Sequence, residues 1–169
     1  MKNFKLNEKD ILSNQDWTFP TTTYYGPGRF NEIGKFCEEF DIKNPLIVTD
    51  SGSKDLPFIK KLIALLSKNS IKSDLFYNIS PNPRDDEISK GCDQFKNGSH
   101  DSIIAIGGGS AMDGGKSICL TVNSETPLWD FEFEQPVPKI TKENAFPKII
   151  TVPTTAGTGA ETEITAMVT

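Results

Sequence analysis

The sequence contains no hydrophobic run long enough to cross a membrane and no basic cluster longer than the pair Lys60 and Lys61. A membrane-spanning helix needs about 20 consecutive apolar residues. Nucleic-acid binding needs a basic stripe, whereas the net charge of this chain is −5. The first residues, MKNFKLNEKDILSNQ, are too polar for a secretion signal. We therefore expect a cytoplasmic protein with neither a membrane nor a nucleic acid among its partners.

Histidine and cysteine are also scarce. The one histidine, His100, lies in the sequence NGSHD before a predicted strand, and no HxxxH spacing exists, so no metal ligand can be assigned. The three cysteines, Cys37, Cys92 and Cys119, are an odd number at wide spacings, and each falls on the apolar face of a predicted helix. We expect reduced, buried thiols rather than disulfides.

The chain has the size and composition of one globular domain. It has 169 residues, of which 36% are hydrophobic and 24% charged, enough for a sizeable core. Residues 1–16 are polar and are expected to form a flexible segment. The sequence ends at TEITAMVT, inside a β-like run, which predicts that it is part of a longer chain.

Short apolar runs typical of buried strands alternate with segments of helical periodicity. A short strand or hairpin is predicted within 17–28, followed by a helix at 29–40. The later predicted strands are 46–50, 74–79, 102–106 and 148–152, and the later predicted helices are 57–68, 85–96 and 111–122. This alternation predicts an α/β fold: a Rossmann-like, doubly wound, mainly parallel sheet with flanking helices. Such sheets bind ligands at the carboxyl ends of their strands.

The stretch GGGSAMDGGK, residues 107–116, follows one of these strands and begins a helix. Glycines let a ligand approach the main chain, and the unpaired N–H groups and dipole of a helix N-terminus favour a phosphate. Ser110 with Asp113 three residues later is a capping pattern, which predicts that Ser110 is the N-cap and that the helix begins at the next residue. A nucleotide phosphate is the expected ligand, and a tight turn without a ligand is the alternative.

Neither standard phosphate-binding fingerprint fits this stretch. The Walker pattern requires a glycine six residues before its lysine, and Ser110 occupies that position before Lys116. The Rossmann pattern GxGxxG fits Gly107 and Gly109 but meets Met112 in place of the third glycine.

Two further segments also follow predicted strands. TVPTTAGTGAETE, residues 151–163, offers backbone N–H groups and threonine hydroxyls to a phosphate or a ribose, unless it is an ordinary surface loop. Asp50 ends the strand LIVTD. Its carboxylate can accept hydrogen bonds from both ribose hydroxyls of an adenosine and would repel a 2′-phosphate, or it can cap the next turn.

Taken together, these segments resemble the iron-dependent alcohol dehydrogenase family. GGGSAMDGGK is similar to that family's GGGSxxDxxK signature, and PTTAGTGAE is similar to its PTTAGTGSE segment. VTDSGS and ISPNP fall where the family has its TDxG and PNP segments. The resemblance covers residues 17–169, which would form the N-terminal, dinucleotide-binding half of such an enzyme, without the helical metal-binding domain.

The resemblance implies roles for individual residues. The glycine turn of the family holds the pyrophosphate of NAD(P), and its aspartate organises a loop near the cofactor. The paired threonines line the phosphate and nicotinamide side, while the acidic strand end favours NAD over NADP and the PNP asparagine lies near the adenosine. The implied cofactor-binding residues are Asp50, Asn82, Gly107, Gly108, Gly109, Ser110, Asp113, Thr154, Thr155 and Thr158. Ala160, where the family commonly has serine, removes one hydroxyl.

The resemblance also implies an activity. The family transfers hydride between an alcohol or aldehyde and NAD(P), with Fe²⁺ or Zn²⁺ held by one aspartate and three histidines of the second half. We therefore assign no catalytic residue and no metal ligand to this chain, which by itself should be inactive. A homodimer would follow the habit of the family. The alternatives are a related glycerol or sugar-phosphate dehydrogenase, a cyclase of the dehydroquinate synthase type, and a nucleotide-binding module without catalysis.

Overall fold

The computed structural model describes residues 15–18, 21–136, 138–139, 141 and 145–169. Strands and helices alternate along the chain as the apolar pattern predicts. The elements are β1 (Gln15–Thr18), β2 (Thr22–Tyr25), a 3-10 helix (Arg29–Glu32), α1 (Ile33–Glu39), β3 (Pro45–Asp50), α2 (Pro57–Lys68), β4 (Asp74–Ile79), α3 (Asp85–Asn97), β5 (Ser102–Gly107), α4 (Gly109–Thr121), a second 3-10 helix (Leu128–Phe131) and β6 (Lys148–Pro153). Among the residues described, no helix is both long and apolar enough to cross a membrane.

Four of the strands form one parallel sheet with the order β4-β3-β5-β6. Ile47 of β3 pairs with Ile104 of β5, and Ile103 of β5 pairs with Ile149 of β6. β1 and β2 form a separate antiparallel pair, so the segment predicted as a short strand or hairpin within 17–28 is a hairpin that begins two residues earlier. The predicted α/β, Rossmann-like architecture with flanking helices is also confirmed.

Both faces of the sheet are covered, which explains why its central strands read as unbroken apolar runs. Side chains alternate across a strand. Leu46 and Val48 therefore pack into one core with Phe76 and Ile88, on the side of α3 and α4. Ile47 packs into a second core on the side of α1 and α2. The two cores hold the sheet between two helical layers, which fixes where the carboxyl ends of the strands lie.

Glycines within α4 allow this helix to pack closely against the sheet. A Cβ atom added at Gly115 would lie 2.5 Å from the Cβ of Ala105 in β5. A Cβ at Gly114 would lie 2.8 Å from the Cδ1 of Ile79 in β4. Glycine is unfavourable in a helix interior, but here it permits a contact that no other residue would allow. The pair Gly114 and Gly115 near the end of GGGSAMDGGK therefore serves packing.

Several finer predictions can now be compared with the structure. The predicted helix at 29–40 is a 3-10 turn followed by α1. Of the predicted flexible segment 1–16, residues 1–14 lie outside the described residues and 15–16 begin β1. The closing run TEITAMVT contains no strand, since residues 162–169 have no ladder partner within the described part of the chain. No disulfide links the cysteines: Cys37 and Cys119 are buried free thiols and Cys92 is half-buried.

Candidate functional site

The order of the strands defines the position of the candidate site. The chain runs from β3 outward to β4, and then returns to the other side of β3 to form β5 and β6. The carboxyl ends of β3 and β5 are therefore a topological switch point, where open α/β sheets bind their ligands. Backbone pairing of these two strands ends at Val48 and Ala105. Beyond it, the buried hydroxyl of Thr49 donates to the carbonyl of Ile106 at 2.7 Å.

The glycine turn after β5 and the threonine loop after β6 lie side by side. The backbone N–H of Thr154 donates to the carbonyl of Gly107 at 2.8 Å. A Cβ added at Gly108 would lie 3.3 Å from the Oγ1 of Thr155. A Cβ at Gly109 would lie 3.6 Å from the Cγ2 of Thr158. The structure thus brings the two glycine- and threonine-rich segments together in one place.

Glycine is required at the first position of this turn. Gly107 has a φ of +147°, which side chains rarely adopt, and a Cβ there would meet that of Ala111 at 2.7 Å. The backbone of Gly107 can therefore turn sharply from β5 into α4 without displacing the first turn of the helix.

The predicted start of the helix is wrong by two residues. Gly108 is the N-cap of α4, the helix begins at Gly109, and no side chain among the described residues caps it. Ser110 is the second helical residue, so the Ser110–Asp113 spacing does not form a capping box. Because Gly108 already has the extended backbone of an N-cap, the helix begins earlier than the Ser110–Asp113 pattern indicated. As a consequence, main-chain N–H groups rather than a serine hydroxyl mark the N-terminus of α4.

Asp50 lies next to the glycine turn. One carboxylate oxygen, Oδ1, accepts a hydrogen bond from the N–H of Gly52 at 3.0 Å. The other, Oδ2, would be 3.1 Å from a Cβ added at Gly107. One oxygen thus caps the turn after β3, which is the alternative role predicted for Asp50. The other oxygen is directed toward the switch point. The two roles suggested by the sequence are compatible in this geometry.

Asn82 lies on the loop after β4, between two prolines. It is exposed, with a φ of +57°, a left-handed conformation that asparagine tolerates better than most residues. The loop is held by Glu87, which is 5% exposed. Its Oε2 accepts hydrogen bonds from the N–H and the hydroxyl of Ser80 and from the N–H of Arg84, each at 3.1 Å. Sequence reasoning did not find Glu87, although an acidic residue in the first turn of a helix is a signal for such a role.

Replacing Glu87 with glutamine is expected to destabilise the chain at neutral pH. Burial raises the pKa of Glu87, but the hydrogen bonds from Ser80 and Arg84 outweigh it and lower the pKa below its usual 4.5. Because the folded-state pKa is lowered, this stabilisation is present above pH 4.5 and is lost as the pH falls. We expect Glu87→Gln to reduce the free energy of unfolding by about 1–2 kcal/mol at pH 7.

Urea denaturation at pH 7 and at pH 4 measures this effect. The difference between wild type and Glu87→Gln should shrink at the lower pH, because below pH 4.5 the carboxyl group becomes protonated first in the unfolded chain and only at still lower pH in the folded chain. Glu38→Gln, at an exposed position of α1, serves as the control and should change little at either pH. A difference that stays constant between the two pH values would contradict the role assigned to the carboxylate.

Asp113 and Lys116 lie one turn apart on α4 and contact the segment that follows the threonine loop. The Nζ of Lys116 donates to the carbonyls of Glu163 and Thr165 at 2.7 and 2.9 Å. Asp113 accepts a hydrogen bond from the backbone N–H of Met167. Burial raises the pKa of Asp113 and lowers the pKa of Lys116, in each case against the opposing effect of the partner's charge.

Comparison with known proteins assigns the chain to a family. The sequence profile of the family described as "Iron-containing alcohol dehydrogenase" matches residues 20–169. This α/β chain, with its glycine turn at the switch point of a parallel sheet, has a Rossmann-like architecture. The chain belongs to the iron-containing alcohol dehydrogenase family.

Individual relatives agree with this assignment. The chain is 30% identical over 148 residues to 1,3-propanediol dehydrogenase of Klebsiella pneumoniae. The aligned region covers 86% of this chain and 37% of that protein. It is 28% identical to NAD-dependent methanol dehydrogenase of Bacillus methanolicus, over 89% of this chain and 38% of that one. The structure of sulfoacetaldehyde reductase from Bifidobacterium kashiwanohense in complex with NAD⁺ superposes with a TM-score of 0.69 and 28% identity, over 80% of this chain and 35% of that one. The chain thus spans less than half the length of these relatives.

The family description implies iron, but the described residues do not offer a site for it. No group of three or more histidine, cysteine, aspartate or glutamate side chains comes together in the part of the chain that the structure describes. His100 is 7% exposed, and its Nδ1 lies 3.0 Å from the carbonyl of Asn44. Its Nε2 lies 3.4 Å from a carboxylate oxygen of Asp74, which begins β4. This histidine therefore lies at the amino ends of the strands, away from the switch point.

Proposed function

We propose that this chain binds NAD and forms the cofactor-binding part of a dehydrogenase that acts on alcohols or aldehydes. The observation that carries the proposal is the hydrogen bond from Thr154 to Gly107, because it joins the glycine turn and the threonine loop at the switch point. The names of the relatives, a propanediol dehydrogenase, an NAD-dependent methanol dehydrogenase and an NAD⁺-bound reductase, support the same class of reaction.

The diphosphate of NAD would bind between the two loops. Main-chain N–H groups at Gly109 and Ser110 mark the N-terminus of α4, where an anion is stabilised by both hydrogen bonds and the helix dipole. The hydroxyl of Thr155 adjoins Gly108 and could donate to the same oxygens, while Thr158 adjoins Gly109 through its methyl group. Because Gly108 and Gly109 have no side chains, the ligand can approach their backbone directly.

The adenosine would lie toward β3 and β4. Asp50 would accept hydrogen bonds from the ribose hydroxyls through the carboxylate oxygen that does not cap Gly52. Asn82, exposed on the loop that Glu87 holds, would lie near the adenosine. The nicotinamide would then extend past Thr154 on the side of β6.

When bound, NAD would supply hydride transfer between its nicotinamide ring and the carbon that carries the oxygen of the alcohol or aldehyde. The residues described here bind and orient NAD, and none of them is assigned a proton-transfer role. We further propose that Fe²⁺ or Zn²⁺ takes part in the whole enzyme through ligands from outside this chain, since the described residues do not offer a metal site.

Titration calorimetry with NAD and NADP tests the proposed function. We expect the chain to bind NAD more tightly than NADP, because Asp50 would repel the 2′-phosphate. Asp50→Asn keeps an oxygen for the N–H of Gly52 but removes the charge. This variant is expected to reduce the preference for NAD by about tenfold, since two charges 4 Å apart near a protein surface interact by several kcal/mol before screening.

Asp55→Asn provides the control, because Asp55 is an exposed aspartate on the same β3–α2 connection. It should leave the preference unchanged. A chain that binds neither dinucleotide would contradict the proposed function. Equal NAD preference in wild type and Asp50→Asn would contradict only the role of Asp50.

A further inference from the structure

The tip of the threonine loop has little packing of its own. Residues 153–158 are exposed, and a Cβ added at Gly157 would meet no atom within 4 Å. At its start, the loop is tied to the glycine turn by the hydrogen bond between Thr154 and Gly107. Its position must therefore depend also on what holds the chain after the loop, at residues 160–169.

The chain after the loop is anchored to α4 at several points. Ala160 is buried in the core next to α4. Lys116 then donates to two carbonyls of the segment, at 2.7 Å to Glu163 and 2.9 Å to Thr165. Asp113 accepts from the N–H of Met167. Because residues three apart lie on the same face of a helix, these two side chains form one clamp, which we call the α4 clamp.

The same segment also reaches the loop that carries Asn82. The N–H of Thr169 donates to the carbonyl of Pro83 at 2.8 Å, and the N–H of Asp85 donates to the carbonyl of Thr169 at 3.2 Å. The segment held by the α4 clamp therefore connects the threonine loop to the loop after β4. Displacement of this one segment would move both sides of the candidate NAD site.

We propose that Lys116 and Asp113 are positioning residues, which hold residues 163–167 so that the threonine loop faces the glycine turn. This inference rests on the proposed function and adds the mechanism by which these two side chains would affect NAD binding. In the structure, the ammonium group of Lys116 is bound to two carbonyls, so the lysine acts on the diphosphate through the backbone of the loop. Charge-assisted hydrogen bonds to a half-buried lysine are strong enough for this role.

Hydrogen exchange and calorimetry on the same variants test the α4 clamp. Lys116→Met keeps the length of the side chain but removes the donor. We expect the amides of 160–167 to exchange about tenfold faster, while those of β5 stay protected, and NAD affinity to fall about tenfold. Lys116→Arg should restore both within about threefold, because a guanidinium also donates to two carbonyls. Lys90→Met removes an exposed lysine that pairs with Asp86 on α3, and it should change neither measurement.

The outcomes separate this inference from the proposed function. Unchanged exchange in Lys116→Met would overturn the clamp. Faster exchange with unchanged NAD affinity would overturn the positioning role. A wild-type chain that does not bind NAD would contradict the proposed function itself. If Lys116→Met unfolds, as loss of β5 protection would reveal, Lys116→Leu makes the same comparison with a shorter side chain that also lacks a donor.

Discussion

Replacing Gly115 with valine is expected to destabilise the chain strongly, and more than Glu87→Gln does. A Cβ at this position would lie 2.5 Å from the Cβ of Ala105 and 3.5 Å from its Cα, so the new side chain meets a strand rather than a flexible side-chain end. Helix α4 must shift away from β5 to accept it. We expect the free energy of unfolding to fall by about 3 kcal/mol, measured by urea denaturation at pH 7.

Two matched variants isolate the cause. Ser89→Val introduces the same β-branched residue at an exposed position inside α3, so it reports helix propensity alone and should cost well under 1 kcal/mol. The double variant Gly115→Val with Ala105→Gly removes the methyl group that the new side chain meets. The double variant should be more stable than the sum of the two separate effects on the free energy of unfolding would predict. Gly115→Val as stable as Ser89→Val would contradict the packing role of Gly115.

The fold could be predicted because its cause is local. Apolar runs such as SIIAI report a strand buried on both faces, and the spacing within PFIKKLIALLSK reports one buried helical face. The structure confirms both readings. The same logic predicted that glycine- and threonine-rich segments at strand ends would lie at one edge of a parallel sheet. The hydrogen bond from the N–H of Thr154 to the carbonyl of Gly107 shows that these two segments lie next to each other.

The clamp and the support of the Asn82 loop could not be predicted in the same way. Lys116 contacts carbonyls 47 and 49 residues further along the chain, and every residue presents the same carbonyl group. Residue identity at Glu163 and Thr165 therefore carries no signal for the contact. Glu87 acts through nearby residues, but only half of its contacts are with side chains, the Ser80 hydroxyl and the Arg84 guanidinium, and the other half are with backbone N–H groups.

The start of α4 was predicted wrongly for a related reason. A serine followed three residues later by an aspartate is the sequence pattern of a capping box, yet the backbone at Gly108 already takes the extended conformation of an N-cap. Glycine permits many backbone conformations, so its presence in the sequence does not reveal which conformation it adopts. Asp113 is thereby left to bind Met167 rather than the helix terminus.

Replacing Ser110 with aspartate should separate folding from ligand binding at the candidate site. Ser110 is the second residue of α4 and is half-buried. A negative charge in the first turn of a helix is favourable, so Ser110→Asp should preserve or slightly raise the free energy of unfolding, by about 0.3–1 kcal/mol. The same charge would face the diphosphate of NAD. We expect NAD affinity to fall by about 100-fold, since like charges near 4 Å repel by about 1–4 kcal/mol.

Ser110→Asn is the matched control, because it has nearly the same shape as aspartate without the charge. Calorimetry should show NAD affinity within about threefold of wild type for Ser110→Asn, since a neutral amide removes no main-chain donor from the helix terminus. High salt should partly restore binding to Ser110→Asp but not change Ser110→Asn, because screening weakens only the charge repulsion. Equal affinity in the two variants would mean that the diphosphate binds elsewhere. Because Ser110→Asp is expected to keep or raise stability while it lowers NAD affinity, unfolding could not explain the lost binding. This pair of variants therefore tests the anion site at the N-terminus of α4 directly.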